Sequence, residues 1–114
     1  MRAAHAEYIA TLREAGVDVT ELPPLEAFPD AVFVEDTALC LSQGAIVMRP
    51  GAPTRAGEVA AMAPTLRRLY RDVLQIDEPG FIEGGDILVT SKEILVGRSA
   101  RTNAAGMSCL SLRF

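Results

Sequence analysis

The sequence predicts an α/β protein built from repeated hairpin-and-helix units, and three observations carry that prediction. Short apolar runs of β character, AVFVE (31–35), ALCL (38–41), AIVM (45–48), ILVT (87–90) and EILVG (93–97), are interleaved with segments of helical period. Hydrophobic residues make up 49% of the 114, enough for the core of one ordinary domain. The chain also repeats itself. With a shift of 48 positions and no gap, FVEDTALCLSQGAIVM (33–48) falls on FIEGGDILVTSKEILV (81–96). Phe33, Val34 and Glu35 meet Phe81, Ile82 and Glu83, while Leu39, Leu41, Ile46 and Val47 meet Ile87, Val89, Ile94 and Leu95. Periods of this length mark arrays or propellers of supersecondary units, each of which buries little alone.

The elements follow in order. Residues 2–15 place His5, Tyr8, Ile9 and Leu12 at i, i+3, i+4 and i+7, one face of an amphipathic helix, with His5 expected to pack or cap there. Gly16 is suited to the position just past that helix. Residues 17–22 read as a strand, and LPPLEAFPD as a loop broken by Pro23, Pro24 and Pro29. The 31–35 and 38–41 runs read as strand, and Ser42-Gln43-Gly44 turns the chain into 45–48. A helix is expected from near Thr54 toward Tyr70, with Val59, Met62, Leu66 and Leu69 facing inward. Pro64 lies inside it and is expected to kink or end it, at a cost of about 3 kcal/mol otherwise. Residues 73–76 form another strand, 87–90 and 93–97 a second hairpin, and a last helix begins near Arg101 or Thr102.

Charge and composition exclude several functions. The formal charge is −4, from 15 acidic and 11 basic residues, and no basic cluster is interleaved with aromatics, so no nucleic acid is expected as partner. No apolar run approaches the roughly 20 residues that span a bilayer, and charges interrupt the N-terminal segment, so neither a membrane partner nor a signal peptide is expected. Cys40 and Cys109 stand far apart with no His or Cys at metal spacing. The chain thus reads as cytoplasmic, without disulfide framework or zinc site. Cys40, between Leu39 and Leu41, reads as a small buried hydrophobe.

The chemistry lies in the acids. A repeat sets equivalent residues about a common axis, so Glu35 and Glu83 are expected to point into one site, with Asp36 beside Glu35 and Asp30 at the mouth of the same strand. Gly84-Gly85 permits close backbone approach after Glu83, and Asp86 either joins the site or caps that turn. Converging carboxylates suit a guanidinium, whose planar fork of N–H donors they accept in bidentate pairs. Arg55 and Arg101, at matching helix starts, are placed to hold a carboxylate. On spacing alone the alternatives stay open: solvated turn acids, surface arginines, or a carboxylate site for Mg²⁺ or Ca²⁺.

PDAVFVEDTA, RPGAPTR, EGGDILV and VGRSARTNAAG, in that order over residues 4–106, resemble the dimethylarginine dimethylaminohydrolases. These belong with the arginine deiminases and amidinotransferases to the guanidino-group-modifying (pentein) superfamily. The resemblance implies a fivefold α/β propeller of ββαβ modules, of which about two are expected here. It implies that Asp30 binds the substrate α-amine, Glu35 and Asp36 the guanidine end, and Arg55 and Arg101 the α-carboxylate. Glu83 would orient a catalytic His that acts with a nucleophilic Cys, without metal or organic cofactor, to convert a methylated arginine to citrulline and dimethylamine.

No residue here matches the family's His or Cys. The lone His5 and the two cysteines sit in the wrong contexts, and 107–114, MSCLSLRF, matches no family block. Residues 4–106 are therefore expected to be a truncated part of the family domain, followed by an unmatched tail. The chain by itself is expected to be inactive and to associate with itself through unpaired sheet edges. The competing readings are a related deiminase or amidinotransferase, a non-catalytic arginine-binding module, and a remnant without function.

Overall fold

A computed structural model describes residues 2–113, the last without its side chain. After helix α1 (Arg2–Glu14), the first unit comprises strands β1 (Ala38–Leu41) and β2 (Gly44–Val47), helix α2 (Glu58–Leu69) and strand β3 (Val73–Gln75). β1 and β2 form an antiparallel hairpin around Ser42-Gln43, with Leu39 opposite Ile46. α2 carries the chain back so that β3 runs parallel to β2, giving the sheet order β1-β2-β3 and a ββαβ connectivity.

The central strand explains its own sequence. Ala45 and Val47 face Ala63 and Leu66 of α2. Ile46 and Met48 face the other way, into a cluster with Leu39, Ile76, Ile82 and Leu110. A strand covered on both faces reads as an unbroken apolar run rather than an alternating one, which is why AIVM is continuous. Met48 and Leu66 are 0% and 1% exposed, and burying each stabilises the fold by about 1.5–3 kcal/mol.

The second unit, β4 (Ile87–Val89), β5 (Ile94–Val96) and α3 (Ala104–Arg113), closes that second cluster. Ile87, Ile94 and Val96 pack against it from β4 and β5, and Leu110 from α3. The two units are stitched where the Ile82 amide donates to the Arg49 carbonyl (2.9 Å), while the Arg49 guanidinium lies 4.5 Å over the Phe81 ring. α3 starts two to three residues later than the sequence predicts because Asn103 caps it, its Oδ1 accepting the Gly106 amide at 2.8 Å. The helix runs unbroken through Gly106 to Arg113.

The two hairpins correspond in buried face but not in register. Leu39, Ile46 and Met48 map onto Ile87, Ile94 and Val96, and both sets turn to the shared cluster. Yet Leu39 pairs with Ile46, whereas Ile87 pairs with Val96, two residues beyond the partner the repeat assigns. A two-residue slip leaves the faces unchanged, because side chains alternate with period 2.

Several expectations are corrected. On α1 Ile9 is buried, while Tyr8 is 63% exposed and His5 is exposed, so the helical stripe does not pack as a whole. Gly16 does end α1. At φ +87° it forms a paired reverse bond, its amide donating to Arg13 and that of Val17 to Leu12, which satisfies carbonyls of the last turn. Residues 17–22 pair with no strand among the described residues and are tethered instead by Arg13, which donates to the Val19 carbonyl and Glu21. Residues 31–35 are not a strand: turns lead into a 3₁₀ helix at Val34–Asp36. The helix expected from Thr54 is a 3₁₀ turn, Pro53–Arg55, followed by α2. Leu69 is 63% exposed rather than inward. Pro64 neither ends nor interrupts α2. Both Pro64 and Ala60, whose carbonyl loses its helical donor, are exposed, so water is available to that carbonyl. Cys40 is exposed on the face of β1 opposite Leu39, beside the Tyr70 hydroxyl, which it pushes above the usual phenol range. No helix among the described residues is long and apolar enough to cross a membrane.

Candidate functional site

The site is organised around Arg55. Pro53, with φ fixed by its ring, opens the tight 3₁₀ turn that ends at Arg55. The side chain is 4% exposed. Its Nε and Nη2 donate to the two carboxylate oxygens of Glu58 at 2.8 and 2.9 Å, a bidentate pair. Nη2 also reaches the carbonyls of Asp30 (3.1 Å) and Phe33 (3.0 Å), and Nη1 donates to Asp36 Oδ2 at 2.7 Å. This is the physical reason that 31–35 does not form a strand. The Phe33 carbonyl, with that of Asp30 just before the segment, is turned onto a buried cation, while Phe33, Asp36 and Thr37 amides close successive three-residue bonds to Asp30, Phe33 and Val34. The guanidinium is held well above the ordinary arginine range, first by its hydrogen bond to Glu58, against the opposing cost of burial, then by Asp36.

Glu83 joins Arg55 to Arg101. Its side chain is 5% exposed, and its Oε1 lies 3.8 Å from Arg55 Nη1 and accepts Arg101 Nη1 at 3.3 Å. Its Oε2 is buried and has no hydrogen-bond partner among the described residues. The loop carrying Arg101, itself 60% exposed at the side chain, is pinned by Asp86, which accepts the hydroxyls of Ser99 (2.7 Å) and Thr102 (2.6 Å). Asp86 therefore anchors the neighbouring loop rather than capping the glycine turn. The Thr102 hydroxyl in turn accepts the Glu83 amide at 3.3 Å.

The two acidic turns touch through glycine. A Cβ on Gly84 would collide with the Glu35 carbonyl oxygen and lie 3.0 Å from Asp36 Cα. A Cβ on Gly85 would lie 2.8 Å from Asp36 Oδ1. The pair of glycines thus lets the two turns abut and keeps space beside that oxygen, which carries no hydrogen bond from the described residues.

Of the residues singled out in the sequence, Asp36, Arg55, Glu83 and Arg101 form one connected chain of ion pairs. Asp30 and Glu35 are exposed; the Asp30 carbonyl, rather than its carboxylate, meets the network by accepting Arg55, while the Glu35 carbonyl abuts Gly84. Sequence reasoning missed Glu58. The one signal for it was an acid three residues after Arg55 at a helix start, a spacing common on solvated surfaces. No group of three or more His, Cys, Asp or Glu suited to a metal ion occurs among the described residues. A crevice of about 370 Å³ between Asp77–Gly80 and α3 includes none of Asp36, Arg55, Glu58, Glu83 and Arg101.

The chain is similar to proteins of one family throughout. The family model for eukaryotic N,N dimethylarginine dimethylhydrolase matches residues 1–112. A dimethylarginine dimethylaminohydrolase of Pseudomonas aeruginosa is 48% identical over 103 residues, which are 90% of this chain and 41% of that protein. The structure of a Cys-to-Ser variant of the Pseudomonas aeruginosa enzyme complexed with citrulline superposes with a TM-score of 0.87 at 45% identity, over 95% of this chain and 44% of that one. An amidinotransferase of the saxitoxin pathway from Microseira wollei shares the fold at a TM-score of 0.80, with 15% identity over 98% of this chain and 44% of that one. The chain spans about two-fifths of the length of the curated relatives it matches.

Proposed function

The chain belongs to the dimethylarginine dimethylaminohydrolase family, and from that premise we propose that it forms the acidic, substrate-binding part of a hydrolase converting Nω-methylated arginines to citrulline and dimethylamine. The observation that carries the reading is the Asp36–Arg55–Glu83–Arg101 chain of ion pairs, with one buried Glu83 oxygen left without a donor among the described residues. Asp30, Glu35, Asp36, Glu58 and Glu83 are five carboxylates set against two guanidiniums, Arg55 and Arg101, an excess of negative charge that favours a cationic ligand end. Asp36 Oδ2 is held by Arg55, so Oδ1 is available to a ligand guanidinium, with Glu35 as its neighbour on the same turn. Arg101, the more exposed cation, takes the ligand carboxylate, and Arg55 supports it through the Nη1 edge that faces Glu83. Asp30, exposed on the preceding turn, receives the α-amine.

Glu83 Oε2 is suited to accept an imidazole N–H and so to orient a catalytic His. In the mechanism we propose for the family domain, a Cys thiolate adds to the guanidinium carbon. The His protonates dimethylamine as its bond to that carbon breaks, then deprotonates a water that releases citrulline and regenerates the thiolate. His5, exposed on α1, and Cys40 and Cys109 make no hydrogen bond or ion pair to Asp36 or Glu83 among the described residues. Turnover by these 114 residues alone is therefore not expected. Binding is the test: calorimetric titration of the chain with Nω,Nω-dimethyl-L-arginine should saturate, and Asp36→Asn should weaken it by about tenfold or more, the worth of one charge-assisted hydrogen bond. Absence of saturable binding, or citrulline formation that survives Cys40→Ser together with Cys109→Ser, would overturn the reading.

We also propose that the chain associates with itself. β4 and β5 pair only with each other among the described residues, and Leu88, Leu95, Val32 and Phe33 are 59%, 46%, 61% and 49% exposed. Sedimentation velocity at rising concentration should show dimers or larger species, and a single sharp monomer throughout would contradict this.

A further inference from the structure

We infer that Glu58 is a positioning residue whose bidentate grip on Arg55 keeps Asp36 Oδ1 open for the ligand guanidinium; this rests on the binding reading above. Glutamates in the first turn of a helix are ordinarily solvated partners of the helix dipole. Glu58 opens α2 but is 2% exposed, and both its oxygens are given to Arg55 Nε and Nη2. A guanidinium offers a carboxylate two forked edges, and the one built on Nε and Nη2 is taken by Glu58. What remains toward the site is Nη1, which meets Asp36 through Oδ2 alone and faces Glu83 Oε1. Without Glu58 the fork is free to turn onto Asp36, the carboxylate nearest to it at 2.7 Å, and to close over both of its oxygens. The acceptor that a ligand guanidinium needs would then be occupied by the protein's own. Glu58 thus decides between a monodentate and a bidentate Arg55–Asp36 pair, and through that choice whether the acidic turn can accept a ligand.

The test compares Glu58→Gln with Glu58→Asp in the 114-residue chain, by calorimetric titration with L-arginine and by the NMR exchange rate of the Arg55 Nε–H. A Gln keeps the volume but presents a single acceptor and an amide that faces the cation's donors, whereas an Asp keeps the carboxylate. The expected result is a loss of L-arginine affinity of about tenfold or more in Glu58→Gln, faster Nε–H exchange with the rest of the spectrum preserved, and partial recovery of both in Glu58→Asp. Affinity within twofold of the parent in a folded Glu58→Gln chain overturns the inference. If the parent itself does not bind L-arginine, the binding reading fails, and the inference is judged on the Nε–H: unchanged slow exchange in Glu58→Gln overturns it, and accelerated exchange restored by Asp supports the grip. If Glu58→Gln does not fold, Arg55→Gln with Glu58→Gln is measured. Recovery of the fold supports a role exercised through Arg55, and continued failure shows that Glu58 serves the core instead.

Discussion

Arg55→Met is expected to abolish cooperative folding of the chain. Glu58 and Glu83 are 2% and 5% exposed at the side chain, and Arg55 is the cation within ion-pair distance of both. Removing one partner of a buried pair leaves a desolvated charge uncompensated, a loss of about 3–5 kcal/mol, because the carboxylate has given up water without a replacement. The carbonyls of Asp30 and Phe33 lose a donor in the same step, each at about 1–3 kcal/mol if water cannot reach them. A chain of this size holds a net stability of only about 5–15 kcal/mol, so the sum is comparable with the whole. Arg55→Lys keeps the charge but not the fork and should fall between parent and Met. Arg55→Met combined with Glu58→Met, which removes both charges of the most buried pair, should regain much of the loss. Urea unfolding followed by circular dichroism decides the matter, and an Arg55→Met midpoint equal to that of the parent would refute the central place given to this residue.

Much of the architecture was legible because it follows from side-chain period. The ALCL and AIVM runs and the 87–90 and 93–97 runs appear where apolar spacing put them, as does the helix expected from Thr54 to Tyr70 apart from its first turn, and the internal repeat correctly paired the buried faces of the two hairpins. What was not legible depends on a single long-range contact. AVFVE has strong β character, but its Phe33 carbonyl, like that of Asp30 just before the segment, is claimed by the Arg55 guanidinium, 22 and 25 residues away respectively, and tertiary demand overrides local propensity. The repeat's register slip likewise leaves no trace in the pattern, since a shift of two residues preserves inside and outside. Of the residues the sequence singled out, Asp36, Arg55, Glu83 and Arg101 come together in one chain of ion pairs, but the matched Phe-apolar-Glu triplets are not equivalent: Val34 is 45% exposed where Ile82 is fully buried, and Glu35 is exposed where Glu83 is not. Residue similarity under a shift records a shared module and says nothing of what covers each copy. Glu58 escaped notice for a related reason, since burial of a charged residue is set by its partner and not by its neighbours in sequence.

Gly84→Ala is expected to damage the site more than the fold, and this separates the two roles of the glycine turn. The added methyl would meet backbone, namely the Glu35 carbonyl oxygen and Asp36 Cα, rather than the end of a flexible side chain, so relief requires one acidic turn to move away from the other. Overpacking of this kind costs about 1–3 kcal/mol, less than the loss at Arg55. The displacement falls between Asp36 and Glu83, and Arg55 spans them with Nη1 at 2.7 Å from one and 3.8 Å from the other. The short hydrogen bond to Asp36 weakens steeply with small shifts, and a misplacement of about 1 Å in a positioned constellation can cost on the order of 100-fold in function. The core cluster of Ala45, Val47, Ala63 and Leu66 includes neither Gly84 nor the residues that its added methyl would meet. Gly84→Ala should therefore keep a cooperative melt while losing most of its affinity for Nω,Nω-dimethyl-L-arginine, whereas Gly16→Ala, placed at φ +87° with open space around its Cβ, should lose stability and keep the affinity. Opposite behaviour of the two variants would mean that the acidic turns do not meet at Gly84 in solution, and the proposed ligand site would have to be relocated.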